Sequence, residues 1–248
     1  MDHKPSPALP PSLKTSALVI LGVVFAAALV FYQLVGPHLT LGRWAVAFAG
    51  FLLLMIFTVV VRALPHHPHN SFGAANAITA IRTAIVSLVT AAVFFAADMA
   101  SGQSAVWILI ALVLTALALD GFDGYLARNL GRESALGARF DMEIDALLIL
   151  VLSEAALMLG KAGWWVLAIG LMRYIFVGAQ FFVPALCLPL PPSFRRKLIC
   201  VVQVATLCVI LVPAVIPPVS TVAALIALGL LSYSFAVDII FLLRKGRQ

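Results

Sequence analysis

Residues 120–145 read D-G-F-D-G-Y-L-A-R-N-L-G-R-E-S-A-L-G-A-R-F-D-M-E-I-D and hold six of the ten acidic residues of the 248-residue chain. The rest of the chain is dominated by apolar side chains, since 63% of all residues are hydrophobic and only 10% are charged. Carboxylates within or beside membrane helices are costly to keep and therefore indicate function. This acidic segment is the strongest candidate for a functional site.

The apolar runs around this segment predict an all-α integral membrane protein. About 20 apolar residues cross a bilayer as a helix. We predict eight such spans, near residues 17–35, 43–63, 77–97, 105–126, 140–160, 163–183, 198–216 and 219–242. Because lipid offers the backbone no hydrogen-bond partners, a helical bundle is expected. A link rich in Pro and His separates an N-terminal two-helix hairpin with its cytoplasmic linker, residues 1–71, from a six-helix transmembrane core, residues 72–248.

Basic residues predict the orientation of the chain in the membrane. If the N-terminus is cytoplasmic, nearly all loop lysines and arginines fall on the cytoplasmic side, whereas the other side keeps Arg43 and Lys161. Cytoplasmic loops carry such an excess of positive charge. The acidic segment is therefore expected at the cytoplasmic face, in a bacterial inner membrane. The net charge of +6 fits attraction to anionic membrane lipid, and no nucleic-acid module is visible.

The spacing of the aspartates predicts that their carboxylates converge. Residues three or four apart share a helix face, so Asp120 and Asp123 point together near the end of the fourth span. Asp141 and Asp145 point together at the start of the fifth. A short connection makes these helices antiparallel neighbours, with all four carboxylates at one depth. Such oxygen ligands suit Mg²⁺ or Mn²⁺, and a pair of these ions is a common clamp for phosphoryl displacement.

Two other interpretations of the acidic segment stay open. One is a structural network of ion pairs with Arg128, Arg132 and Arg139, although four carboxylates exceed what three arginines in a wet loop require. The other is a membrane transporter or proton-coupled carrier that uses intramembrane carboxylates as an ion path. A carrier is expected to place polar residues near the membrane midplane, whereas these carboxylates cluster at one membrane edge. Both interpretations are therefore disfavoured against an enzyme.

The pattern resembles the motif of the CDP-alcohol phosphotransferases, or CDP-alcohol phosphatidyltransferases. That motif is D-x2-D-G-x2-A-R-x8-G-x3-D-x3-D, and every fixed position is filled here, by Asp120, Asp123, Gly124, Ala127, Arg128, Gly137, Asp141 and Asp145. The segment N-A-I-T-A-I-R, residues 76–82, is similar to the first core helix of that family. The resemblance covers roughly residues 72–243 and leaves the first two spans outside it.

The resemblance implies an enzyme of phospholipid biosynthesis. Such an enzyme transfers a phosphatidyl, or other substituted phosphate, group from a CDP-linked lipid donor such as CDP-diacylglycerol to a small alcohol acceptor. CMP is released and a phosphodiester forms. The resemblance also implies a homodimer embedded in membrane lipid.

The resemblance also assigns residues to this reaction. The four aspartates of the motif, Asp120, Asp123, Asp141 and Asp145, would hold two divalent ions, Mg²⁺ or Mn²⁺. Asp145 is in addition the candidate catalytic base for the acceptor hydroxyl. The residues that would bind the nucleotide are Asn76, Thr79, Gly124, Arg128, Ser134 and Gly137.

Further arginines predict a site for the phosphate of an acceptor. Arg173 falls within the sixth span, where an unpaired cation is costly, and Arg195, Arg196 and Lys197 open the seventh. Arg173, Arg195 and Arg196 together can bind a phosphate, although the triplet is most simply a positive-inside anchor. The sequence does not identify the alcohol, because acceptors in the family include glycerol 3-phosphate, inositol phosphate, serine and choline-type alcohols.

Overall fold

A computed structural model of the chain describes residues 11–66, 72–95, 103–129, 135–191 and 193–246. These residues form eight α-helices: α1 Pro11–Val35, α2 Arg43–Ala63, α3 Ala74–Phe95, α4 Gln103–Asn129, α5 Ala135–Met158, α6 Leu167–Gln180, α7 Phe194–Leu211 and α8 Val219–Lys245. No strand occurs among them. The predicted all-α class is confirmed, and each helix overlaps one predicted span.

Five helices of the described part are long and apolar enough to cross a membrane, namely α1, α2, α3, α4 and α8. The helix α6 is apolar but shorter. Both α5 and α7 carry charged residues near their starts, Asp141 and Asp145 in the second and third turns of α5 and two arginines in the first turn of α7. Membrane-spanning character therefore rests on the five long helices, and the count of eight spans stays a prediction.

The chain divides into two compact units, Met1–Asp145 and Ala146–Gln248. In the first unit α3 is the central helix, because it packs against α1, α2 and α4 and every residue from Arg82 to Val93 is buried. The hydroxyls of Thr83 and Thr90 donate to carbonyls one turn earlier in α3, both at 2.7 Å. Such internal hydrogen bonds let small polar side chains lie inside a helix bundle.

The N-terminal hairpin of α1 and α2 packs onto α3. The buried Tyr32 hydroxyl donates a hydrogen bond to the carbonyl oxygen of Ala84 at 2.7 Å. The rings of Phe48 and Phe95 lie with their centroids 5.2 Å apart. The burial of α3 therefore depends on the hairpin. The predicted domain boundary after residue 71 stays a prediction, and that residue lies outside the described ranges.

In the second unit α8 packs against α7 and α6, and α6 crosses the later part of α5 closely. A Cβ atom placed on Gly170 would meet the Leu150 backbone, with Leu150 Cδ1 at 2.8 Å and Cβ at 3.0 Å. A larger side chain would push the two helices apart, so glycine is required at this crossing.

The buried side chain of Lys161 binds backbone carbonyls just after the C-terminal end of α7, in the same unit. The ammonium of Lys161 donates to the carbonyl oxygens of Val212 at 3.0 Å and Val215 at 2.7 Å. These carbonyls follow the last turn of α7, beyond its helical hydrogen bonds, and that of Val212 also accepts from the backbone N–H of Val215 at 3.0 Å. Burial lowers the pKa of Lys161, whereas its carbonyl acceptors favour the charged ammonium.

Candidate metal and nucleotide site

Three of the four aspartates that the sequence predicts to converge lie together in the first unit. Asp120 is on α4, and Asp141 and Asp145 are one turn apart on α5. One carboxylate oxygen of each lies within 4.8 Å of the others. We call these three residues the carboxylate cluster. Their side chains are 24% to 32% exposed, so small ligands can reach them. The side chain of Asp123 lies outside the described part of the chain.

The guanidinium of Arg82 from α3 contacts all three members of the carboxylate cluster. Its Nη1 lies 2.9 Å from Oδ1 of Asp120 and also contacts Oδ1 of Asp141. Its Nη2 lies 2.5 Å from Oδ1 of Asp145, and its Nε donates to the carbonyl oxygen of Ala116 in α4 at 3.1 Å. The Arg82 side chain is 1% exposed. One buried cation therefore joins α3, α4 and α5.

Arg82 is absent from the residues that the sequence predicts for the site. The sequence suggests other arginines as ion-pair partners of the aspartates, namely Arg128, Arg132 and Arg139. Of these, Arg139 is exposed, and the side chains of Arg128 and Arg132 lie outside the described residues. A signal for Arg82 does exist, because a cation in the middle of an apolar span requires a partner.

The oxygens of the carboxylate cluster fit a divalent cation. Mg²⁺ binds oxygen ligands at about 2.1 Å, so ligands on opposite sides of one ion lie about 4 Å apart. The observed spread of up to 4.8 Å is close to that value. Within the described residues no other group of His, Cys, Asp or Glu side chains has such a spacing. A metal site is therefore best placed here.

Two residues predicted to contact the nucleotide are buried on α3, before Arg82. The side-chain amide of Asn76 donates to the carbonyl oxygen of Phe72 at 2.5 Å, and the Thr79 hydroxyl donates to that of Ala75 at 3.2 Å. Asn76 lies one turn before Thr79, and Thr79 one turn before Arg82. The three residues follow each other along α3 toward the carboxylate cluster.

The other residues predicted for the nucleotide are described only in part. Gly137 is half-buried at the start of α5, one turn before Asp141. Gly124 and Arg128 belong to α4, but their side-chain surroundings lie outside the described part. Ser134 falls between the described ranges. Their roles stay predictions.

The arginines predicted for the acceptor belong to the second unit. Nη2 of Arg195 lies 2.5 Å from Oδ1 of Asp238, and Nη1 of Arg196 lies 3.4 Å from the same oxygen. Arg195 also donates to the carbonyl oxygen of Ser234 at 2.8 Å. Both arginine side chains stay partly exposed, at 25% and 31%. Arg173 is half-buried in α6.

Asp238 is a second residue that the sequence predictions missed. It lies on α8 and its side chain is only 11% exposed. Because two guanidiniums share this one carboxylate, positive charge remains for an anion. The signal that points to Asp238 is again a charged residue inside an apolar helix.

Comparisons with known proteins point to one family. The sequence model of the CDP-alcohol phosphatidyltransferase family matches residues 72–237. Two relatives, each named probable phosphatidylglycerophosphate synthase, come from the CDC 1551 / Oshkosh and ATCC 25618 / H37Rv strains of Mycobacterium tuberculosis. Each is 31% identical over 166 residues, which cover 66% of this chain and 78% of the relative. No solved structure gives a significant match.

We expect the carboxylate cluster to bind Mn²⁺. Removal of one charged ligand, in Asp120→Asn or Asp141→Asn, should weaken Mn²⁺ binding by about tenfold or more, since a charged interaction contributes about 1.5–3 kcal/mol. The electron paramagnetic resonance signal of free Mn²⁺ measures this binding in detergent-solubilised protein. Asp238→Asn is the matched control and should leave Mn²⁺ affinity unchanged. Equal affinity in all three variants would place the ion elsewhere.

Proposed function

Because the chain belongs to the CDP-alcohol phosphatidyltransferase family, we propose that it transfers the phosphatidyl group of CDP-diacylglycerol to glycerol 3-phosphate. Family membership makes the chain a membrane enzyme of phospholipid synthesis, and the carrier interpretation is set aside. The observation that carries the proposal is the convergence of three motif aspartates at one point. The product of the proposed reaction is phosphatidylglycerophosphate.

Two observations support glycerol 3-phosphate as the acceptor. The relatives are named probable phosphatidylglycerophosphate synthases, and that product carries the phosphate of its acceptor. In addition, Arg195 and Arg196 are partly exposed and share one carboxylate, which leaves charge for a phosphate. Arginine binds phosphate through paired N–H donors. We assign Arg173 to the same phosphate site, whereas serine or a choline-type alcohol would leave these cations unused.

The proposed reaction is a displacement at the β-phosphorus of the donor. A hydroxyl oxygen of glycerol 3-phosphate forms a new P–O bond, and the P–O bond to CMP breaks with its electron pair leaving on CMP. We assign Asp145 as the base that takes the hydroxyl proton. A base must reach the attacking hydroxyl in a productive complex, and the partial exposure of the Asp145 carboxylate supports this assignment.

We propose that Asp120, Asp123, Asp141 and Asp145 hold two divalent ions, Mg²⁺ or Mn²⁺. Dependence on divalent metal is general in this family, and the carboxylate cluster supplies suitable oxygens. When bound, these ions polarise the pyrophosphate and neutralise charge on the leaving CMP. The chain itself orients the nucleotide, for which we assign Asn76, Thr79, Gly124, Arg128, Ser134 and Gly137. Because glycine has no side chain, Gly124 and Gly137 would let the nucleotide approach the helix backbone closely.

We also propose that the site faces the cytoplasm from a bacterial inner membrane. The positive-inside distribution of lysines and arginines supports this orientation. It lets the water-soluble CMP leave into the cytoplasm while the lipid tails stay in the bilayer. The homodimer expected from the family belongs to the same proposal, and light scattering of solubilised protein tests it.

Purified protein with CDP-diacylglycerol and Mg²⁺ should release CMP when glycerol 3-phosphate is added. The panel of acceptors should also include inositol phosphate, serine and choline, which should release far less CMP. Excess chelator should abolish turnover, and Mg²⁺ or Mn²⁺ should restore it. Preference for another alcohol would overturn the assigned acceptor. Full turnover in excess chelator would overturn the metal assignment.

A paired comparison tests Asp145 as the base. Asp145→Asn should lower turnover at saturating Mg²⁺ by a factor on the order of 10² to 10⁴, the usual contribution of general acid–base catalysis. Asp120→Asn removes a ligand, so it should mainly raise the Mg²⁺ concentration needed for half activity. The measurements are turnover against Mg²⁺ and donor affinity by titration. Rescue of Asp145→Asn by high Mg²⁺ to the parent rate would make Asp145 a ligand only.

The acceptor site is tested by the KM for glycerol 3-phosphate. Arg195→Ala should raise that KM by about tenfold or more, because a charge-assisted hydrogen bond to phosphate is lost, with a much smaller change in the donor KM. Arg195→Lys keeps the charge and should lie in between. Lys197→Ala, at an exposed position of the same triplet, is the matched control. An equal rise in both KM values for Arg195→Ala would show a general structural role.

A further inference from the structure

We propose that Arg82 is a built-in counter-cation of the carboxylate cluster. Arg82 holds the three carboxylates together before metal binds, and a bound metal displaces it from their oxygens. The inference rests on the proposed function in one respect, namely that the cluster is a metal site. It goes beyond that function because it states that Arg82 of α3, which is not a metal ligand, affects the affinity for metal.

The first observation is that Arg82 contacts one oxygen of each of the three carboxylates that could bind a metal. Its two Nη atoms meet Oδ1 of Asp120, Asp141 and Asp145. The same three side chains offer ligand oxygens within 4.8 Å of each other. A guanidinium and a divalent cation held by the same three carboxylates repel each other, because both are positively charged. Metal binding therefore competes with Arg82.

The second observation is the contrast in freedom between the two partners. Arg82 is 1% exposed, whereas the three aspartates are 24% to 32% exposed. The Nε of Arg82 is anchored on the carbonyl oxygen of Ala116 by a bond that involves no carboxylate. The aspartates therefore have more room to turn. We infer that the carboxylates rotate away from Arg82 toward the metal, while the arginine stays in the core.

This arrangement predicts two effects of opposite sign. Without a metal, Arg82 offsets the repulsion among three close carboxylates and so stabilises the protein. With a metal, the same positive charge opposes the second cation and weakens its binding. If Arg82 had a merely structural role, its replacement would destabilise the protein and would leave Mn²⁺ affinity unchanged or weaker. The sign of the effect on metal affinity therefore separates the two roles.

The test uses the full-length protein in detergent, with Mn²⁺ as the probe and no substrate. Arg82→Gln should lower the unfolding temperature of the metal-free protein and bind Mn²⁺ about tenfold more tightly, because one repulsion between positive charges is removed. Mn²⁺ should raise its unfolding temperature more than that of the parent. Arg139→Gln is the matched control, since Arg139 is an exposed arginine two residues before Asp141. It should change both quantities little.

Arg82→Lys keeps the positive charge but loses the forked donors, and it serves if Arg82→Gln does not fold. It should unfold at a lower temperature without metal and bind Mn²⁺ more tightly than the parent, because one ammonium contacts fewer of the cluster oxygens than the forked guanidinium. Unchanged or weaker Mn²⁺ binding by a folded Arg82 variant, or an unchanged metal-free unfolding temperature, would overturn the counter-cation. A parent protein that binds no Mn²⁺ would instead overturn the metal site of the proposed function.

Discussion

Three ionised carboxylates cannot stay within 4.8 Å of one another beside a lipid bilayer unless positive charge lies among them. Arg82 supplies that charge from α3, and the packing of the first unit follows from this requirement. The helix that carries Arg82 must lie against α4, so that Nε reaches the carbonyl of Ala116. It must also be covered on its other sides, and α1 and α2 pack there. The buried hydroxyls of Thr83 and Thr90 bond within α3 and do not disturb this packing.

The two units hold ion networks of opposite balance. In the first unit one guanidinium contacts three carboxylates, whereas in the second one carboxylate contacts two guanidiniums. The first excess is negative and suits a divalent cation. The second is positive and suits a phosphate. The side chains of the more numerous charge, the three aspartates in the first network and the two arginines in the second, are partly exposed. Their uncompensated charge is therefore accessible to a ligand. The proposed metal and the proposed acceptor phosphate each therefore have a group of opposite charge.

Much of the fold and half of the site follow from local sequence pattern. Long apolar runs predict the helices because a helix is the only open-ended structure that satisfies its backbone in lipid. The spacing of Asp120, Asp141 and Asp145 predicts a shared site because the helical period and a short connection fix their placement. Arg82 and Asp238 were not predicted, because their partners are distant in the sequence. Arg82 lies 59 residues from Asp141 in sequence, and local periodicity does not tell which distant helices are neighbours. A rule that every intramembrane charge needs a partner would have found both residues.

The hairpin of α1 and α2 shows how a segment without catalytic groups can still matter to a site. The family match begins at residue 72 and leaves this hairpin outside. Yet the Tyr32 hydroxyl bonds the carbonyl of Ala84, two residues from Arg82. A shift of α3 along its axis would break this bond and move the guanidinium relative to the carboxylate cluster. The hairpin therefore limits the sliding of the helix whose one cation must meet three separate oxygens.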